Sequence, residues 1–416
     1  MKYYLAAIFC LFASLAPAIA EERTLTVRDG GESTDASHAE VRGVAAGPFD
    51  PALWKAGSLH LLADARHPIL SPREGRFRNI YAPSVVQVGK NWHIYYGGWD
   101  GEAEGNDHIY LSATRDFLTF GERRTVIDPN IFQHVCNVNV TPAGGGYAMM
   151  CTAYPDERGA NKPVTFFSPD GIRWNGSDAA GGFPATREQI ISMTGYDRWI
   201  DADVNGMNVL LFENDTYHIY FSSFRDFGSV WRASGDDGKR FTFESTVLKQ
   251  RAAVNDVKKL RVGSDAWYLM GLHMNGEQLF YTLSTDPLHF PPSRELLRCA
   301  GDDDRHIVAI GWVVAGEQEE RGRRVLGLLY GAGAAPSLDR NRLFARWLQK
   351  KAVAIVDGKR IEPSASLGPD AQLIRLAGEV RARIHVFAED GKTLLAASEP
   401  LALQPGRAYL LELKSR

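Results

Sequence analysis

What this chain lacks already narrows its function. Beyond residue 20 no stretch approaches the roughly 20 apolar residues that a helical membrane span requires, so no membrane insertion is expected. Charge of one sign is missing too: 47 Lys and Arg stand against 50 Asp and Glu, a net charge of −3. Nucleic acid and anionic membrane surfaces are therefore not expected as partners, because both need a basic footprint. Cysteine is scarce, with Cys10, Cys136, Cys151 and Cys299 the full set, too few for a disulfide scaffold. No Cys/His cluster has zinc-type spacing, no Gly-rich phosphate loop follows a strand into a helix, and no Gly-x-Ser-x-Gly elbow occurs.

The one long apolar stretch is at the start. Met1 to Ala20 carries a positive charge at Lys2, an apolar core from Tyr4 to Leu15 and the small-residue ending Ala18-Ile19-Ala20, the outline of a cleavable secretory signal. A secreted or periplasmic protein starting near Glu21 is expected, with net charge −4 once Lys2 is lost from −3. Cys10 lies inside the apolar core, which argues against a lipid anchor. Cys136 and Cys151 fall on successive strands, so a cross-strand disulfide is geometrically open. The competing reading is three thiols packed as small hydrophobes.

What is present is repetition. Val85 to Val88, Trp92 to Tyr96 and Ile109 to Ser112 read as three short strands of β-branched and aromatic residues, parted by Gly89-Lys90-Asn91 and a polar loop. The second run recurs at Tyr147-Ala-Met-Met, Tyr217-His-Ile-Tyr and Trp267-Tyr-Leu-Met, at separations of 55, 70 and 50 residues. The third run ends each time in Ser, followed by an Asp four residues before an aromatic. The sets are Ser112 with Asp116/Phe120, Ser168 with Asp170/Trp174, Ser234 with Asp237/Phe241, and Ser284 with Asp286/Phe290. Self-similarity at this spacing, with about four strands per unit, signals a propeller.

The predicted organisation is all-β. Residues 21–57 form a polar arm without periodicity, 58–352 a five-bladed β-propeller, and 353–416 a small C-terminal β-rich module. The units run 79–128, 134–194, 200–249, 252–297 and 302–352. Leu59 to Leu62 or His67 to Leu70 offer a strand that would close the ring from the N-terminal side, removing an open edge. The four Asp residues of the recurrent turns read as structural.

In such a ring the polar residues that open each unit's first strand share one mouth with the loops after each second strand. Those positions hold Asn79 and Tyr81, His134 and Asn137, Asp201 and Asp203, Asp256, and Asp304 with His306. The loops add Trp99, Asp100, Glu102 and Glu104, then Tyr154, Arg225, His273 and Asp339. Acids for proton transfer, amides for hydroxyls and aromatics for sugar faces suit a carbohydrate partner. Each Asp or Asn there has a plainer reading as a turn cap.

On Tyr81-Ala-Pro-Ser-Val-Val with its following Gly-Lys-x-Trp-x-Ile-Tyr-Tyr, the Ser/Asp/aromatic turns and the closing Leu343-Phe-Ala-Arg-Trp-Leu, the chain resembles the five-bladed propeller glycoside hydrolases. This group includes arabinanases, xylosidases, arabinofuranosidases and, more distantly, invertases. The resemblance implies a secreted glycosidase using paired carboxylates. It implies Asp203 as orienting acid, Asp256 as general acid, Asp100 or Asp201 as the remaining working carboxylate, and His306 near a structural Ca2+ or other cation, with no required cofactor. The sequence departs from the group in two places: the fourth unit offers Asp where Glu is expected, and the first opens on Asn79 rather than an acid. Two other expectations stay open: a non-catalytic carbohydrate-binding propeller, and a sialidase-like enzyme suggested by Ser234-Gly-Asp-Asp-Gly-Lys-Arg-Phe241.

Overall fold

The recurrent short runs pair with their sequence neighbours, so the chain is laid down as successive antiparallel meanders. In the computed structural model, which describes residues 24–414 apart from 75–77, 102–105, 207, 319 and 338–339, five such sheets follow one another. The leader-like residues 1–20, and with them Glu102, Glu104 and Asp339, lie outside the described residues. The first sheet comprises Asn79–Val88, Asn91–Trp99, His108–Thr114 and Arg124–Asp128, and the second His134–Ala143, Gly146–Tyr154 and Lys162–Ser168. The third comprises Asn208–Glu213, Thr216–Ser223, Asp226–Gly235 and Arg240–Leu248, and the fourth Ala253–Val262, Asp265–His273, Gln278–Ser284 and Arg294–Arg298. The fifth comprises His306–Ala315, Arg324–Gly333 and Arg342–Leu348.

The first strand of each sheet packs against the first strand of the next, and that of the fifth returns to the first, so the five inner strands surround an axis. Polar side chains fasten neighbouring inner strands. The backbone N–H of Val140 donates to Ser84 Oγ (2.9 Å), that of Leu210 to Asn139 Oδ1 (3.1 Å), and that of Trp312 to Asp256 Oδ2 (2.8 Å). Where the fifth sheet meets the first, the backbones approach directly. A Cβ on Gly311 would lie 2.2 Å from the Pro83 carbonyl oxygen, a separation only glycine allows.

Residues 24–42, expected to be an unpatterned arm, are ordered as β1 (Thr24–Glu32) and β2 (His38–Arg42). β1 pairs with Arg407–Lys414, and β2 lies between that strand and Ala371–Arg375. The polar composition hid them because only part of each strand faces a core: Leu25, Ala39 and Val41 are buried among Ile374, Ile384, Leu403 and Leu411. The C-terminal module is thus two sheets on one core, completed by the N-terminal end of the chain. The helix α1 (Pro51–Ala56) then sends Trp54 between Tyr281 and Trp312. β3 (Leu61–Ala63) follows and pairs with Arg342–Leu348 as the outermost strand of the fifth sheet, the closing role foreseen for this stretch. All three described cysteines are free and buried, so the Cys136–Cys151 disulfide is not formed.

Candidate functional site

Bulges aim the side chains that matter. Four of the inner strands break register at one level: between Tyr81 and Ser84, Cys136 and Asn139, Val254 and Asp256, and Ile307 and Ala309. A bulge adds a residue and turns its neighbours off the strand's alternation. Ala82 and Asn137 sit there at φ 49° and 55°. The outcome is a small floor of Tyr81, Ala82, Cys136, Val308 and Ala309 across the axis.

Around that floor runs a chain of polar contacts. Tyr81 donates its phenolic O–H to Asp107 Oδ2 at 2.5 Å, within the buried interior. The other Asp107 oxygen has no partner among the described residues. Burial pushes the Asp107 carboxyl up, and the Tyr81 bond together with His134 and His108 only partly offsets this. Burial and then Asp107 likewise raise the Cys136 thiol, so it is protonated and unreactive at neutral pH. The His134 ring lies tilted against Tyr154 with ring centres 5.2 Å apart, and its Nε2 is 3.3 Å from Asn161 Oδ1. Asn161 in turn donates to Asp203 Oδ1 from its backbone (2.9 Å) and its side chain (2.7 Å). Asn137 Nδ2 donates to Asn205 Oδ1 (2.9 Å). On the fourth sheet His273 lies between Asn255 (2.6 Å) and Asn275 (2.8 Å), and burial pulls its pKa down to about 4.

Tyr81, His134, Asn137, Tyr154, Asp203, His273 and His306 thus lie at one end of the ring, linked through these contacts. The other candidates divide. Asp256 is clasped by Trp312 N–H and by Lys258 Nζ at 2.9 Å, where it fastens two sheets instead of facing the mouth. Asp100 is buried and accepts from Arg73 N–H (2.7 Å), Arg123 Nη1 (2.9 Å) and Tyr96 O–H (2.8 Å). Asn79 is buried and accepts from Asn341 N–H (2.9 Å), tying the first sheet to the fifth. Asp304 accepts from Tyr330 O–H (2.8 Å) and faces His67. Burial would raise its carboxyl, but those bonds hold it well below the usual range. Asp201 is exposed, 3.6 Å from Arg158, and Arg225 is exposed on the rim. Trp99 is half-buried, with its indole N–H unpartnered among the described residues.

A cation near His306 is what the resemblance implied. His306 lies near enough to His273 to depress it, yet no group of three or more His, Cys, Asp or Glu among the described residues is arranged to hold a metal.

Asp107 was missed by the sequence reading, which stopped its loop at Glu104. The available signal was position: the residue or two before a third strand is polar in each of four sheets, as Asp107, Asn161, Glu277 and Asn341. A cavity of about 880 Å³ opens at the opposite end of the axis among the turns at Thr141–Gly146 and Phe212–Asp215. None of the site residues named from the sequence lines it.

No protein-family model matches the chain, and no curated protein does. Among solved structures it is similar to a thermostable family-43 glycoside hydrolase, at 12% identity and TM-score 0.48, over 72% of this chain and 98% of that one. It is also similar to the catalytic domain of the Coprinopsis cinerea GH62 alpha-L-arabinofuranosidase, at 14% identity and TM-score 0.48, over 70% and 98%. A third is the Bombyx mori GH32 beta-fructofuranosidase, at 9% identity and TM-score 0.45, over 87% and 92%.

Proposed function

We propose that this chain is a secreted glycosidase built as a five-bladed β-propeller with a C-terminal β module, cleaving glycosidic bonds at the mouth lined by Tyr81, Asp107 and His134. The observation that carries the reading is Asp107: a buried carboxyl, raised by desolvation and presented beside aromatic and amide side chains. A carboxyl whose protonated form is favoured by burial suits leaving-group protonation. Asp203 is assigned the role of base. One of its oxygens is fixed by Asn161, which leaves the other for water or sugar. His134 and Tyr154 supply a stacking wall, and Asn137, Asn205 and Asn275 supply hydroxyl partners. The leader-like first 20 residues support export. Five sheets, not six, count against the sialidase-like alternative.

A second reading has its own support. The first strand opens on Asn79, which is engaged structurally, and the floor of the mouth is Ala82, Cys136 and Val308. A ring with such a centre would bind sugar without cleaving it. A glycan-panel hydrolysis assay on wild type, Asp107→Asn, Asp203→Asn and the control Asp256→Asn separates the two. The glycosidase reading expects Asp107→Asn to lose about 10²-fold or more in kcat. Release of sugar undiminished in both Asp107→Asn and Asp203→Asn would refute the site. No release from any glycan, with binding retained, would establish the binding module.

A further inference from the structure

The rim of the proposed sugar mouth is not uniform. Among the described residues eight large hydrophobic side chains are exposed, and four of them, Ile131, Ile200, Phe224 and Met274, lie on loops at this one end of the ring. On the third sheet Phe224, in the turn between Thr216–Ser223 and Asp226–Gly235, and Phe227, at the start of the latter strand, have ring centres 5.9 Å apart. The turn is seated on the site itself: Phe224 N–H donates to the Asp203 carbonyl (2.8 Å), and Ser223 Oγ accepts from the backbone N–H of Asp203 (3.0 Å). Phe224 is 42% exposed, so one aromatic face is offered to solvent beside Asp203.

The arginines around this platform differ in a telling way. Arg158 faces Asp201, and Arg198 is paired with Asp226. Arg225 and Arg251 have no carboxylate partner among the described residues. Arg225 is exposed between the two phenylalanines in sequence and near enough to Lys162 to act on it electrostatically. Arg251 is exposed, with its guanidinium 5.6 Å from the Phe227 ring centre. Two planar, always-charged donors beside an aromatic pair, Phe224 exposed and Phe227 half-buried, match a sugar ring that carries an anion. The ring stacks, and the guanidinium fork takes two oxygens.

We infer that the third-sheet rim is a subsite for an acidic sugar, one bearing a carboxylate or a sulfate ester, with Phe224 and Phe227 as stacking surface and Arg225 and Arg251 as anion readers. The inference rests on the mouth being a sugar site and names the class of glycan it takes. A neutral sugar would leave both guanidinia without a counterpart, whereas an acidic one engages them.

The test is binding, measured on the Asp107→Asn chain so that turnover does not intervene. The probes are polygalacturonate, its fully methyl-esterified form, dextran sulfate and neutral arabinan. Expected is binding of polygalacturonate or dextran sulfate, whichever identifies the anion, well above the ester and arabinan. Arg225→Gln should weaken that binding about tenfold, Arg251→Gln less, and Phe224→Ala should weaken it too, all with unchanged thermal midpoints. Equal binding of acid and ester, no loss in Arg225→Gln, or no binding of either anionic polymer would overturn the proposal. So would anionic binding untouched by Phe224→Ala, which is plain charge attraction. Acidic glycan bound but never hydrolysed by wild type would keep this subsite and remove the glycosidase. Hydrolysis of arabinan with no acidic preference would do the reverse.

Discussion

At the scale of single residues, Asp107 sets function against stability. Its carboxyl is raised by burial, so between the unfolded value near 3.9 and its folded value the native state holds a proton that the unfolded chain has released. Stability therefore falls as pH climbs through that window and stays reduced above it. Asn cannot ionise, so Asp107→Asn should melt higher than wild type at pH 7 and equally at pH 3, while losing activity. A scanning-calorimetry series across pH checks this, and an Asn variant that melts lower at pH 7 would contradict it. Tyr81 works the other way, since its O–H partly lowers the same carboxyl. Tyr81→Phe should move the alkaline limb of the kcat profile to higher pH. Asp256 belongs to a different class. Fully buried between Trp312 N–H and Lys258, its replacement by Ala leaves a buried charge and a backbone donor unmet, a loss of about 3 kcal/mol, visible as a lower denaturant midpoint. This contrast marks what the sequence could tell. Asp203, Asp256 and Asp107 read alike in the sequence, each an Asp in or just before a short β-run. Only the bulges and the packing of adjacent sheets decide which one opens to the mouth, which is locked between two sheets and which has its carboxyl raised by burial.

At the scale of elements, the short strands and their turns were legible because each is local: two or three β-formers, a Gly or Asn pair, an Asp that folds the chain back. In the recurrent turns the Asp accepts the backbone N–H groups two and three residues on. Asp170 takes Ile172 and Arg173 at 2.9 and 2.8 Å, and Asp237 takes Lys239 and Arg240 at 2.9 and 2.8 Å. Those bonds outweigh desolvation at Asp170, lead at Asp237, and lower both carboxyls from 3.8. A depressed folded value gives stability that is present above pH 4 or so and disappears as pH falls through the acid range. Asp170→Asn should accordingly flatten the acid limb of the stability profile. An acid limb as steep as wild type would show that this turn is not part of acid unfolding. What was not legible is the join between elements. Nothing in the sequence around Gly311 announces that its Cα lies against the Pro83 carbonyl where the fifth sheet meets the first. Gly311→Ala must push the two inner strands apart, and should lower stability by about 2 kcal/mol or more and blunt activity by displacing Tyr81 from Asp107.

At the scale of the whole molecule, the N-terminal 40 described residues bind ring and module into one body. β1 and β2 complete the module's sheet, Trp54 of α1 is buried with Trp312 and Tyr281, and β3 closes the fifth sheet. The junction is polar and buried. Gln372 Nε2 donates to Gln349 Oε1 (3.1 Å), and Gln349 Nε2 to the Gly368 carbonyl (3.1 Å). Asp64 of the ring accepts from both Trp347 Nε1 (2.7 Å) and Gly368 N–H (3.0 Å). Buried amides with every bond made hold a single geometry, and breaking one side leaves the other unsatisfied. The module therefore cannot melt without uncovering β1 and β2 and unseating the strand that closes the ring. Calorimetry should record one unfolding transition for the whole chain, and a chain ended after Leu348 should fail to fold cooperatively because β1 and β2 lose both partner strands. Two resolved transitions, or a shortened chain that keeps the wild-type midpoint, would show that ring and module are independent and that the N-terminal strands are only a tether.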